Sequence, residues 1–144
     1  MKSNQALARE SKAMFDALPQ TTQRRLRGPL RTEAKKHTKD YVIKHAVTTR
    51  AVKSHYSGKL VAYSYDPPRV YFDADPDEPK EDHCWCGVGY SLRGKRKFVC
   101  ANTEAEAWRL LAAECFTKSW MYNLPSYRRI IRAASVVEKK VGRR

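Results

Sequence analysis

His83-Cys84-Trp85-Cys86-Gly87-Val88-Gly89-Tyr90, then Leu92-Arg93-Gly94-Lys95-Arg96, then Lys97-Phe98-Val99-Cys100-Ala101, and finally Thr103-Glu104-Ala105-Glu106 make up the stretch on which the reading of this chain turns. The first and third runs are aromatic, β-branched and small; the run between them is short, basic and carries Gly94. Two apolar runs around a glycine-bearing turn predict a β-hairpin, because glycine takes the positive φ that closes it. Thr103, with Glu106 three residues on, has capping-box spacing. The series Trp108, Leu110, Leu111 and Cys115 then predicts a helix from Thr103 to Trp120. A hairpin laid on a helix is the expected core.

Working outward from that core, Leu60-Val61-Ala62-Tyr63-Ser64-Tyr65 and Val70-Tyr71-Phe72 flank Asp66-Pro67-Pro68 and predict a second hairpin. Residues 73–82 hold six carboxylates and two prolines, which predicts a solvated acidic loop. At the N-terminus, Leu7, Ser11, Met14, Phe15 and Leu18 recur at helical spacing, so Ser3 to Leu18 reads as an amphipathic helix ended by Pro19. The cluster Gln23-Arg24-Arg25-Leu26-Arg27 follows, closed by the helix-breaking pair Gly28-Pro29. From Thr32 to Tyr56 there is no Gly or Pro, and the segment reads as one helix of about seven turns. On it Ala34, Tyr41, His45, Val52 and Tyr56 share a stripe, with Lys35, Lys39, Arg50 and Lys53 gathered beside it. After a joint at Asn123-Leu124-Pro125, a last helix turns Tyr127, Ile130, Ile131 and Ala134 inward, with Arg128, Arg132 and Lys139 on another face. The expected fold is α+β, a small antiparallel sheet packed on helices with a basic helical N-terminal extension. Residues 1–58 form that helical region, and residues 59–144 form the sheet and two-helix core with its acidic loop.

Charge is the strongest compositional signal. The 144 residues carry 29 Lys+Arg against 15 Asp+Glu, a net +14. Residues 1–58 have 13 basic and 4 acidic side chains, 59–102 have 7 and 7, and 103–144 have 9 and 4, so the excess sits on the flanks. Such a charge repels itself in a compact state unless an anionic partner receives it. No run reaches the roughly 18 apolar residues of a membrane span, and the N-terminus lacks the apolar block of a secretory signal. The expectation is an intracellular protein with no membrane partner, cytoplasmic or associated with nucleic acid, and not secreted.

Three further constellations bear on chemistry. Cys84, Cys86 and Cys100 fall on one sheet face when the turn centres on Gly94, with His83 adjacent and Cys115 on the following helix placed to point at them. Four thiols in that arrangement suit zinc. The C-x₂-C knuckle is absent, however, and reduced cysteine packs well as a small hydrophobe, so reduced, buried, metal-free thiols are the first expectation and zinc the second. Pro76-Asp77-Glu78-Pro79-Lys80 contains both halves of the PD-(D/E)-x-K nuclease pattern, overlapped in a proline-rich loop that would not hold carboxylates rigidly on a metal. His37, His45 and His55, eight and ten residues apart, lack the i, i+4 pairing of a helical metal site.

The stretch from Trp85 to Glu114, with Gly94-Lys95-Arg96 at the turn and Thr103-Glu104-Ala105-Glu106-Ala107 opening the helix, resembles two nucleic-acid-binding modules. One is the double-stranded-RNA-binding domain, with three strands and a final helix. The other is the three-stranded DNA-binding fold of plant ethylene-response factors and integrase arm-binding domains. The first resemblance implies a lysine cluster at the start of the last helix, where this chain has Glu104 and Glu106, which repel phosphate. The second implies reading of the major groove from the sheet, which Arg93, Lys95, Arg96 and Lys97 suit.

The expected function is non-enzymatic nucleic-acid binding, DNA slightly before RNA, with the phosphate backbone gripped by Arg24, Arg25, Arg27, Lys35, Lys39, Arg50, Lys53, Arg93, Lys95, Arg96, Lys97, Arg128 and Arg132. The alternative is a protein-binding inhibitor or adaptor, of viral or mobile-element origin, that docks its basic surface on an acidic patch. No nucleophile–base pair or phosphate loop is visible, so neither a catalytic residue nor a cofactor is expected.

Overall fold

The computed structural model describes residues 2–142 as an α+β protein. Its elements are helices α1 (Asn4–Asp16) and α2 (Gln20–His45), strands β1 (Thr49–Lys53), β2 (Leu60–Ser64), β3 (Arg69–Asp73), β4 (Cys84–Tyr90) and β5 (Arg96–Ala101), and helices α3 (Glu104–Cys115) and α4 (Pro125–Val141). They form two compact units, one made of residues up to Thr38 and from Thr117 onward, the other of Lys39–Phe116. The boundary falls inside α2. Among the described residues no helix is long and apolar enough to cross a membrane.

In the first unit, Ser3 caps α1 by accepting from the Ala6 amide at 3.1 Å, and Gln23 Nε2 closes its other end on the Leu18 carbonyl at 2.9 Å. Of the expected stripe, Ser11, Phe15 and Leu18 are buried and Leu7 and Met14 half-buried. Phe15 meets Tyr122 in the 3-10 turn Trp120–Asn123, and Tyr122 meets Tyr127 of α4 edge-on at 5.5 Å. Pro125 takes the first turn of α4, where its missing N–H costs nothing. Ile131 is fully buried there, a contribution of roughly 1.5–3 kcal/mol. Thr22 of α2 donates to Glu138 of α4 at 2.7 Å.

Gly28-Pro29 does not break the helix: α2 continues through it. Pro29 removes one helical donor, a cost of about 3 kcal/mol. Leu26 and Leu30, buried in the same stretch of helix, offset it at roughly 1.5–3 kcal/mol each, while Pro29 itself is exposed.

The second correction is to the helix expected over 32–56. It stops at His45, and residues 49–53 form β1, so Arg50, Lys53 and Val52 lie on a strand, and His55 and Tyr56 in the turn after it. Absence of Gly and Pro was a poor guide here. Val47, Thr48, Thr49 and Val52 are β-branched, which disfavours helix and favours strand. Gly58, at φ 69°, completes the turn, and β1 pairs with β2 from Thr49↔Ser64 to Lys53↔Leu60. The second hairpin is therefore β1–β2, not residues 60–65 with 70–72, and residue 58 lies within its turn. Strand β3 instead pairs with β4 across the acidic loop, giving a separate sheet of order β3-β4-β5.

The β4–β5 hairpin stands as expected, with Gly94 at φ 81° and the Ser91 amide bonded to the Lys95 carbonyl at 2.8 Å. Thr103 Oγ1 accepts from the Glu106 amide, while the Glu106 carboxylate is held by Arg109. Helix α3 ends at Cys115, short of Trp120, and packs on all three strands of that sheet. Gly87 and Gly89 face it. A Cβ on Gly87 would lie 3.6 Å from the Ala107 carbonyl, and one on Gly89 would lie 3.1 Å from Cys115 Sγ. Small residues on β4 thus let α3 approach closely. The end of α2 also belongs to this unit, where Tyr41 meets Phe116 edge-on at 5.3 Å.

Candidate nucleic-acid interface

Strand alternation sorts the β3-β4-β5 sheet into two faces. Gly87 and Gly89 face α3 and their register partners Val99, Val70 and Lys97 go with them. The other face carries Arg69, Tyr71 and Asp73 from β3, Cys84, Cys86, Val88 and Tyr90 from β4, and Arg96, Phe98 and Cys100 from β5. It is open: Phe98 is 56% exposed, and Tyr71, Arg69 and Arg96 are exposed too. Arg69 sits over the Tyr71 ring at 5.1 Å.

At one end of this face the β4–β5 turn projects Arg93 and Lys95, held by bonds from the Gly94 amide to the Ser91 carbonyl (2.9 Å) and from the Lys95 amide to Ser91 Oγ (3.1 Å). Arg50 of β1 reaches this turn. A Cβ on Gly94 would lie 3.1 Å from the Arg50 Nη1 and 2.6 Å from the Tyr65 hydroxyl. Tyr65 stacks at a tilt on Tyr90, 4.8 Å between centroids, and Tyr63 is the exposed register partner of Arg50. Arg50, Arg93, Lys95 and Arg96 are thus gathered with Tyr63, Tyr65 and Tyr90. Among the described residues none of the four cations is in an ion pair.

Beside this cluster stands the β1–β2 hairpin, every strand residue of which is exposed. From Tyr41 to Tyr65 the chain has Lys44, Arg50, Lys53 and Lys59 and no carboxylate. The Lys53 stem lies along Gly58, 3.9 Å from where a Cβ there would sit. Leu60 is 75% exposed, and a two-stranded ribbon with so little covered surface is marginal alone.

The other expected cations are placed differently. Lys97 is on the α3 side of β5, 3.8 Å from Glu114. Lys39 lies over Trp108 at 5.9 Å. In the other unit, Arg24, Arg25, Arg27 and Lys35 are exposed along α2, and Arg128 and Arg132 border a cleft of about 40 Å³ with Glu10, Ser11, Leu7 and Met14. The sequence reading missed Arg69, Tyr65, Tyr71, Tyr90 and Phe98. The alternation of Arg69, Tyr71 and Asp73 was the available signal.

The cysteines depart from expectation. Cys86 Sγ lies 3.7 Å from Cys84 Sγ and 3.9 Å from Cys100 Sγ, and the three sulfurs are within 4.8 Å of one another. Cys86 is buried, but Cys84 is half-buried and Cys100 exposed, so they are not core thiols as a set. Cys115 does not join them: it is on the α3 side, against Gly89. Burial, then hydrogen bonding with Cys84 and Cys100, pushes the Cys86 thiol up; the Cys100 thiol is also raised, by desolvation first, with the Asp73 charge adding. His83 is turned elsewhere, its Nε2 2.8 Å from the Asp75 carbonyl. The acidic loop makes a local turn, the Asp77 amide bonding Asp75 Oδ1 at 2.9 Å.

No protein-family model, curated protein or solved structure matches this chain.

Proposed function

We propose that this protein is a non-enzymatic nucleic-acid-binding protein that holds the phosphate backbone with the Lys39–Phe116 unit. The observation that carries the reading is the placement of Arg50 against the Arg93–Lys95–Arg96 turn. Four like charges share a small region, with no carboxylate among the described residues paired to them, a costly arrangement in the free protein that phosphates would relieve. Tyr63, Tyr71, Tyr90 and Phe98 add aromatic surface next to these cations.

Duplex DNA is favoured over duplex RNA on shape. A two-stranded ribbon enters the major groove of B-form DNA, whereas the A-form major groove is too deep and narrow. The β1–β2 ribbon has this form. A protein partner is the second reading, favoured by one observation: Leu60, Val61 and Val52 leave aliphatic surface exposed on the ribbon.

Titration of labelled duplex DNA, single-stranded DNA and duplex RNA across a salt series tests the proposal. Tightest binding to duplex DNA with a steep salt dependence is expected. Equal competition by heparin at matched charge would reduce the reading to general polyanion binding, and no binding at low salt would reject it in favour of the protein partner.

A further inference from the structure

We infer that Cys84, Cys86 and Cys100 form a Zn²⁺ site on the open face of the β3-β4-β5 sheet, with an oxygen donor in the fourth position. In a tetrahedral zinc–thiolate centre with bonds of about 2.3 Å, neighbouring sulfurs are about 3.8 Å apart. Two of the separations in the structure, 3.7 and 3.9 Å, match those edges, and the third pair is within 4.8 Å. The sulfurs come from residues that the sheet holds rigidly. Cys84 and Cys86 are i and i+2 on the central strand, and Cys100 is the register partner of Cys86 on β5. A metal there clasps β4 to β5 at the end of the hairpin opposite its turn.

The ligand set selects zinc among available cations. Three thiolates exclude the hard cations Mg²⁺ and Ca²⁺, which take oxygen. Asp73 is the register partner of Cys84 and stands on the same face, and Cys100 is open to solvent, so a carboxylate oxygen or a water can reach the fourth position. That set fits tetrahedral zinc. Each thiol gives up its proton on binding. The site is separate from the basic cluster, so the nucleic-acid reading stands or falls independently of it.

The experiment uses the reduced full-length chain, freed of metal by a chelator, then titrated with Zn²⁺ against a chromophoric competitor and with Co²⁺ as a spectroscopic probe. One Zn²⁺ per chain is expected, with a thiolate-to-cobalt charge-transfer band and the intense visible bands of tetrahedral Co²⁺. Cys100→Ser, at an exposed position where the fold tolerates the change, should weaken binding by more than the ~10–100-fold typical of a lost outer-shell partner. Cys115→Ser should leave the cobalt spectrum unchanged, because that thiol is on the other face. Zinc should also slow alkylation of Cys100, and a chelator should restore it. Absence of stoichiometric zinc, binding of Cu⁺ alone, or a cobalt spectrum indifferent to Cys100→Ser would overturn the assignment and leave three thiols merely in contact.

Discussion

Replacing Arg50, Lys53, Arg93 and Lys95 together by glutamine removes four cations from the ribbon and the hairpin turn while leaving the core alone. All four side chains are exposed, and none is in an ion pair among the described residues, so each change should alter stability by no more than about 0.5 kcal/mol. The effect on DNA is much larger. Each lost phosphate contact lowers the slope of log K against log salt by about 0.9, so four lower it by about 3.6. At about 0.1 M salt the same term amounts to a loss of affinity on the order of 10³–10⁴-fold. Fluorescence anisotropy with labelled duplex DNA over a salt series reads both quantities, and circular dichroism melting verifies the fold. Single substitutions should each produce roughly a quarter of the slope change. An unchanged slope, or one substitution that reproduces the whole loss, would refute the phosphate-grip argument and point to a hot spot on a protein partner.

Gly94→Ala should cost about 1–2 kcal/mol in urea denaturation, since an L residue at φ 81° is strained and its Cβ would meet the Tyr65 hydroxyl at 2.6 Å. Gly87→Ala should destabilise by about 1–3 kcal/mol by the same measurement, because its Cβ would lie 2.8 Å from Val99 Cγ2, between strand and helix. Thr103→Ala removes the cap of α3 and should cost about 1 kcal/mol, read as a lower melting temperature. Burial first, and Glu114 next, pushes the Cys115 thiol from its ordinary 9.0 up to about 11, so the folded chain keeps a proton that the unfolded chain releases. Its contribution is whole below pH 9 and lost between about pH 9 and 11, on the order of 2–3 kcal/mol. Denaturation curves through that range should therefore fall less steeply with pH in Cys115→Ala.

Features decided within a few residues were legible in the chain itself: the Thr103 cap, the Gly94 turn, Pro125 at the start of α4, and the burial of Phe15, Tyr127 and Ile131 on amphipathic faces. Each depends on local geometry, which backbone sterics and helical periodicity settle without the rest of the molecule. The choice of strand partners was not legible. The apolar run Leu60–Ser64 has the same pattern whether it joins β1 or β3, and which pairing wins depends on surfaces distant in sequence. The passage of α2 through Gly28-Pro29 is of the same kind, because burial of Leu26 and Leu30 outweighs a local penalty. The candidate site divided along the same line. The excess of cations was plain from composition, but the meeting of Arg50 with the Arg93–Lys95 turn, the pairing of Lys97 with Glu114, and the separation of Cys115 from the other three thiols arise only when strands pair and a helix covers one face. Contact between residues far apart in the chain follows from register and facing, and those are properties of the packed whole.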